Sequence, residues 1–313
     1  MAHARVTAWA KVNLDLRILA READGYHQLE TMFQRISLGD DVEVRLTEGS
    51  GIRLHCAPSV GVPESQNLAW RAAAAYRHTA AWPPADARID ITIAKAIPTG
   101  GGLGGGSADA GAVLRALDAL NPQPLALPAL LSLAATLGAD VPFLTTDVAR
   151  VLAWGRGERM LALPALAVRT VHCAAFSEGV NTAAAYRDLA AARNDGRIVA
   201  AGSALHGAAT LDHWSGLACH ARNDFEVPVF AARPDIAAVH AGWSAVADDA
   251  AGDALVRLSG SGATVFAVSA ALPDRFAAAA AAAGPAGCVR HIEAHTLDAV
   301  PAVRILSPAN EFR

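Results

Sequence analysis

Six glycines fall within seven consecutive positions, Gly100 to Gly102 and Gly104 to Gly106, with only Leu103 between them. Two regular elements bracket this run. Upstream, Ile89, Ile91 and Ile93 alternate with Asp90, Thr92 and Ala94, the period of a half-buried strand. Downstream, Ala110, Val113, Leu114, Leu117 and Leu120 recur at helical spacing, with Ser107 placed as the N-cap. The pattern predicts strand, glycine loop, helix. Glycine reaches positive φ without steric cost and lets another group approach the backbone. A run of it ending at a helix start turns several N–H groups toward one point, where the helix dipole also favours negative charge, and phosphate fits that arrangement. A Walker A loop needs Lys directly before Ser, and here Gly106 precedes Ser107. Gly100-x-Gly102-x-x-Gly105 satisfies the dinucleotide fingerprint, but the acidic residue expected about 20 positions later is missing from Pro122 to Leu137. A flexible linker is the bland reading, and a linker is seldom bracketed so tightly.

A chain of 313 residues holds about two domains and can bury a sizeable core. Its net charge of -4 argues against a nucleic-acid surface, while leaving room for a small anionic ligand on a local glycine loop. Cys56, Cys173, Cys219 and Cys288 form no C-x-x-C pair, which suits a reducing compartment and gives no zinc signature. The start, MAHARVTAWAK, carries no signal-peptide pattern. The uncharged stretch from Ala119 to Ala139 is broken by Pro122, Pro124 and Pro128 and is too interrupted to span a bilayer. The expectation is a cytoplasmic protein with no nucleic-acid or membrane partner, a monomer or weak homodimer.

Residues 5 to 18 read as a strand, with Val12, Leu14, Leu16 and Ile18 toward the core and Lys11, Asn13 and Asp15 on the other face, where a solvated edge would put them. Asp24-Gly25-Tyr26-His27 is a turn, its His read as a surface or capping residue. Glu30 to Leu38 and Asp41 to Thr47 read as strands joined by a Gly39-Asp40 turn, followed by a short strand at Ile52 to Cys56. Helices are expected over Asn67 to Trp82, Leu127 to Leu137, Thr182 to Ala192, after Asn223-Asp-Phe-Glu226 and through the alanine run Phe276 to Ala283. Strands are expected at Val148 to Trp154 and Val168 to Phe176, flanking a turn at Gly155 to Glu158. Asp140 sits where it can cap the next segment. Ser259-Gly-Ser-Gly262 is either plain hairpin chemistry or a second backbone surface against phosphate.

Pro98-Thr-Gly-Gly-Gly-Leu-Gly-Gly-Gly-Ser107, Ala10-Lys-Val-Asn-Leu14 and Leu258-Ser-Gly-Ser-Gly-Ala263 together resemble the three motifs of the GHMP small-molecule kinases. Ala23-Asp-Gly-Tyr-His27, Gly138-Ala-Asp-Val-Pro142 and Asn223-Asp-Phe-Glu226 narrow the resemblance to the branch acting on a cytidine diphosphate derivative of methylerythritol, in the non-mevalonate isoprenoid route. The similarity runs from about residue 8 to 268, with all six motifs in order. It implies a mixed α/β (α+β) fold of two domains. Residues 1–164 would resemble the second domain of ribosomal protein S5 and bind ATP, and residues 165–313 would be ferredoxin-like. The implied reaction moves the ATP γ-phosphoryl group to the tertiary 2-hydroxyl of the methylerythritol unit, with Mg²⁺ held mainly through phosphates and no dedicated protein metal site. By the same resemblance Asp140 is the catalytic base and Lys11 its partner, and Pro98 and Gly100 to Ser107, Leu103 included, form the triphosphate loop. Asn67, Leu68 and Lys95 lie near the adenine, Asn13 touches the methylerythritol part, and Tyr26, His27, Thr182 and Tyr186 hold the cytidine end. The loop departs from the usual Gly-Ser-Ser-Asn-Ala: Ala108 and Asp109 stand for Ser and Asn, and Asp109 adds a negative charge near the triphosphate. A GHMP kinase for homoserine, mevalonate or a sugar, and a non-catalytic nucleotide sensor on the same fold, are the alternatives.

Overall fold

The computed structural model describes residues 2–196, 211–248, 254–270, 275–276, 278–279 and 289–306. Most of the alanine run 276–283 lies outside them, as does Cys288.

The first sheet contains β1 (His3–Arg21), β2 (His27–Glu48), β3 (Ile52–Ala57), β4 (Ala87–Ala94), β5 (Arg150–Gly155), β6 (Arg159–Ala162) and β11 (Arg304–Leu306), with the order β11-β1-β2-β4-β3 and the β5–β6 hairpin attached to the other half of β2. Alternation decides which face is covered. Ala4, Val6, Ala8, Ala10, Val12 and Leu14 of β1 and Ile89, Ile91 and Ile93 of β4 are buried in one core, against α1 (Leu68–Ala80), α2 (Gly105–Leu120), α3 (Leu127–Ala135) and α4 (Val141–Thr145).

Small residues let these helices approach closely. A Cβ added at Gly111 of α2 would lie 2.5 Å from the Leu144 carbonyl oxygen, so the backbones of α2 and α4 touch there. The far end of α4 is gripped by a buried arginine from β2: Arg35 donates through Nη2 to Phe143 O at 2.7 Å and Thr146 O at 2.8 Å, and through Nε to Val148 O at 3.0 Å. Arg35→Ala should lower stability by about 3 kcal/mol in denaturant unfolding, because it removes three hydrogen bonds from a charged donor and empties the space of a buried side chain. A loss below about 1 kcal/mol, the range of surface contacts, would refute this role.

The second sheet holds β7 (Thr170–Phe176), β8 (Leu255–Leu258), β9 (Thr264–Ser269) and β10 (Val289–His295), antiparallel in the order β10-β7-β9-β8. In chain order that is 4-1-3-2, the ferredoxin-like arrangement. A second core joins this sheet to α5 (Thr182–Asn194), α7 (Glu226–Ala232) and α8 (Pro234–Asp248), through Leu189, Val229, Ile236, Val239 and Trp243. Helix α6 (Trp214–His220) instead sends Trp214 and Leu217 into the first core. The division expected near residue 165 falls between β6 and β7, yet the end of the chain returns to the first sheet, where Arg304 to Leu306 pair with His3 to Arg5.

Three local expectations are corrected. Gly39-Asp40 is no turn: β2 runs through it, with Gly39 opposite Trp9 and Asp40 fully buried. Helix α2 starts earlier than Ser107, at Gly105 with Gly104 as N-cap, because the chain enters the helix from a left-handed glycine (φ 75°). Lys11, Asn13 and Asp15 are not at a solvated edge but at most 8 % exposed, because the glycine loop and the segment 222–224 cover that face of β1.

Candidate active site

Strand β1 is interrupted by register shifts between Trp9 and Lys11 and between Asn13 and Asp15. Such bulges re-aim side chains, and Lys11 and Asn13 between them line a cavity of about 600 Å³ under the glycine loop. Lys11 Nζ donates to Asn13 Oδ1 at 2.7 Å, lies 3.4 Å from Asp140 Oδ2 and sits 5.4 Å above the Phe33 ring. Asn13 Nδ2 in turn donates to Thr31 Oγ1 at 2.8 Å, and Thr31 to the Asp15 carbonyl at 2.7 Å. This chain of bonds fixes the amide of Asn13 and leaves the ammonium little freedom. Asp140 ends the turn before α4 and makes no capping bond with its side chain, which is 30 % exposed and open to the cavity. The capping alternative is thus set aside.

The glycine loop is anchored through its middle and bare at its helical end. Leu103 is fully buried, and its carbonyl accepts from Lys11 N at 3.0 Å, so the one non-glycine residue nails the loop to β1. Ala108 N–H bonds to Gly104 O at 2.8 Å. The amides of Gly105 to Ser107 belong to the first helical turn, which has no intrahelical acceptors for them. The Ser259–Gly262 turn backs the loop: Ser259 Oγ donates to Gly102 O at 2.9 Å and Thr264 N to Gly101 O at 3.1 Å. Asn223 holds that turn, donating through Nδ2 to Leu258 O at 2.8 Å and Gly260 O at 2.7 Å. The same short segment bonds to β1, with Leu16 N to Arg222 O at 2.8 Å and Asp224 N to Leu16 O at 3.0 Å. The Asn-Asp-Phe-Glu motif therefore fastens the second sheet to β1.

Asn13, Asn67, Leu68, Lys95, Pro98, Gly100 to Ser107, Thr182 and Tyr186 line this same cavity together with Lys11 and Asp140. Asn67 also caps α1, its Oδ1 accepting from Ala69 N at 2.9 Å. Lys95 is engaged differently from a free cation: Nζ donates to Asp40 Oδ2 at 2.5 Å and to Asp109 Oδ2 at 2.7 Å. Asp109 is buried and turned toward Lys95, so the negative charge it adds near the start of α2 is paired. Asp40 also accepts from Ala96 N at 2.6 Å and Ile97 N at 2.8 Å, fixing the approach to the loop.

Tyr26 and His27 lie apart from the loop, on a second cavity of about 1290 Å³ that shares Leu29, Ala139, Thr182 and Tyr186 with the first. His27 stacks on Tyr186 with centroids 4.3 Å apart, so it is more than the surface or capping residue its turn suggests. Burial, then Arg21 and Arg193, holds the imidazole below its ordinary pKa and keeps it neutral at pH 7. Tyr26 is exposed, with the Arg156 guanidinium 4.1 Å from its ring centre and bonded in turn to Glu22 and Asp24.

Sequence reasoning missed Asp40, Thr31, Phe33 and Arg156. Asp40 was hidden by a Gly-Asp pair that reads as a turn, and the others carry no local pattern.

The chain is similar to known proteins over most of its length. The family model described as the GHMP kinases N terminal domain matches residues 67–147. The 4-diphosphocytidyl-2-C-methyl-D-erythritol kinase of Solibacter usitatus is 38% identical over 263 residues, 82% of this chain and 81% of that one. The protein of the same name from Nocardia farcinica is 35% identical over 309 residues, 97% and 96% of the two chains. A crystal structure of 4-(cytidine 5'-diphospho)-2C-methyl-D-erythritol kinase superimposes with a TM-score of 0.70 at 34% identity, covering 93% of this chain and 98% of that one. With an acid, an amine and bare loop amides around one cavity and relatives alike over nearly its full length, the chain belongs to the 4-diphosphocytidyl-2-C-methyl-D-erythritol kinase family of GHMP kinases.

Proposed function

We propose that the protein uses ATP to phosphorylate the 2-hydroxyl of 4-diphosphocytidyl-2-C-methyl-D-erythritol, releasing ADP, and that the residues above carry the roles the resemblance implies. The observation that carries this reading is the 3.4 Å approach of Lys11 to Asp140 on a cavity roofed by the glycine loop. Phosphoryl transfer asks a protein mainly for positioning and charge stabilisation. The acceptor oxygen forms a bond to the γ-phosphorus as the bond to the β-bridging oxygen breaks, and the hydroxyl proton passes to the Asp140 carboxylate. Lys11 offsets charge on the moving phosphoryl group. The amides of Gly105 to Ser107 and the helix dipole hold the phosphates. Val60, Val62 and Leu68 supply an apolar wall for the adenine, and the Asn67 amide retains donors for its edge. Mg²⁺ would be held mainly through the nucleotide phosphates and water, beside the Asp140 carboxylate that lines the cavity, and would supply neutralisation of phosphate charge. The domain division near residue 165 belongs to the same reading, with the cleft between the two sheets as the site.

The cytosine fits between the flat faces of His27 and Tyr186, which must part to admit it. A base–aromatic stack contributes about 1–3 kcal/mol. Tyr186→Ala should therefore raise KM for the cytidyl substrate about ten-fold or more while leaving KM for ATP within about two-fold, and Tyr186→Phe should keep the wild-type value. Equal effects on both substrates would remove Tyr186 from the cytidine end. The reading as a whole is tested by ADP release: turnover is expected with the cytidyl substrate, ATP and Mg²⁺ together. Faster turnover of homoserine, mevalonate or a sugar would overturn it.

A further inference from the structure

Asp40, Lys95 and Asp109 form a group of two carboxylates and one ammonium, each side chain at most 4 % exposed, directly below the start of α2. Their proximity to the phosphate loop is tight: a Cβ added at Gly105 would lie 3.4 Å from Lys95 Nζ, and both Lys95 and Asp109 reach the wall of the nucleotide cavity. The bonding is uneven. Asp40 uses Oδ2 for Lys95 and Oδ1 for two backbone amides. Asp109 uses Oδ2 for Lys95, while its buried Oδ1 has no hydrogen-bond partner among the described residues. Fully ionised, the group carries one surplus negative charge out of water, and the oxygen without a donor is where a proton would sit at least cost.

The titratable groups around Asp109 are Lys95 at the end of β4, Asp40 in β2 and the Cys56 thiol in β3. Burial pushes the Asp109 carboxyl up, Lys95 pulls it back and Asp40 raises it again, to about 7. Burial also disfavours the Lys95 ammonium, but the two carboxylates outweigh it and raise its pKa, so Lys95 stays charged. A triphosphate or diphosphate arriving at the loop adds several negative charges beside this group and disfavours the ionised carboxylate further.

We propose that nucleotide binding at the glycine loop is coupled to proton uptake from solvent by Asp109, whose Oδ1 gains an O–H bond in the protonated form and leaves the Asp40–Lys95–Asp109 group neutral. The inference rests on the nucleotide reading of the loop. Asp109 acts here as a positioning residue: it keeps Lys95 in place and tunes the charge the phosphates meet. The linkage has a definite sign. A carboxyl whose pKa is higher with nucleotide bound favours binding below its free pKa, and the advantage is lost as pH rises through the free value toward the bound one.

Calorimetry of ADP with the full-length protein tests this between pH 7.5 and 8.5, where the phosphate ionisation near pH 6 is complete. A one-unit rise in the Asp109 pKa on binding gives uptake of about 0.4 proton at pH 8 and an affinity about 2.5-fold weaker at pH 8.5 than at pH 7.5. Uptake is read by repeating the titration in buffers of different ionisation enthalpy, and Asp109→Asn should abolish it. ADP binding by the wild type with no proton uptake and a flat affinity overturns the coupling while leaving the nucleotide site standing, and needs no variant to fold. Equal uptake in Asp109→Asn also overturns it. Absence of ADP binding overturns both the coupling and the reading beneath it.

Discussion

Asp140→Asn should lower kcat for the cytidyl substrate by about 10²–10⁴-fold, the range contributed by a positioned general base, while leaving folding intact. The side chain is partly exposed, makes no capping bond, lines the cavity and pairs with Lys11, so an amide can take its place with an oxygen still facing the ammonium. Substrate KM should change little, since the loss falls on the transition state rather than on ground-state binding. Lys11→Met should also lose activity but differs in kind: it removes the donor to Asn13 Oδ1 inside a buried network and should lower stability as well. Single-turnover phosphorylation alongside thermal unfolding separates the two. An Asp140→Asn protein with wild-type kcat would remove the base from the mechanism.

Gly102→Ala should unfold or misassemble the cleft. Gly102 has φ of 78°, and an added Cβ would lie 2.1 Å from the Ser259 carbonyl oxygen and 3.1 Å from that of Gly262. Those atoms are backbone and cannot rotate away, so the glycine loop would have to leave the turn that supports it. Left-handed strain adds to the clash, and a loss of at least about 4 kcal/mol is expected, a size reserved for such mechanisms. Gly106→Ala is the stability control: its φ needs no glycine and its added Cβ would meet only Leu68 Cδ1 at 3.7 Å. Denaturant unfolding of the two variants decides the point. A Gly102→Ala protein as stable as Gly106→Ala would show that the close approach of loop and turn is not required.

The loop and its flanking strand and helix were legible because their signals are local, whereas Asp140 and Lys11 were singled out by the resemblance to the GHMP kinases and not by a local pattern. Glycine crowding, two-residue alternation and three-to-four-residue helical spacing are all read over a few positions, and the stretch from Ile89 to Leu120 shows all three. What failed was reading polarity as exposure. Lys11, Asn13 and Asp15 alternate with apolar neighbours exactly as an edge strand does, yet the loop and the segment 222–224 bury them. Gly39-Asp40 carries turn composition but lies inside a long strand, because Asp40 is needed for Lys95 and for the amides of Ala96 and Ile97.

Sequence alone determined the chemistry on offer: bare amides for phosphate, an acid and an amine, aromatic faces for a base, all attached to elements whose periods specify strand or helix. Tertiary structure decided which charges meet. Lys11 to Asp140 and Asp109 to Lys95 and Asp40 are partnerships set by helix packing, strand register and the backing of one loop by another, over separations that no short window of residues encodes. Burial then gives each pairing its weight, since a charge withdrawn from water acts strongly on whatever lies beside it.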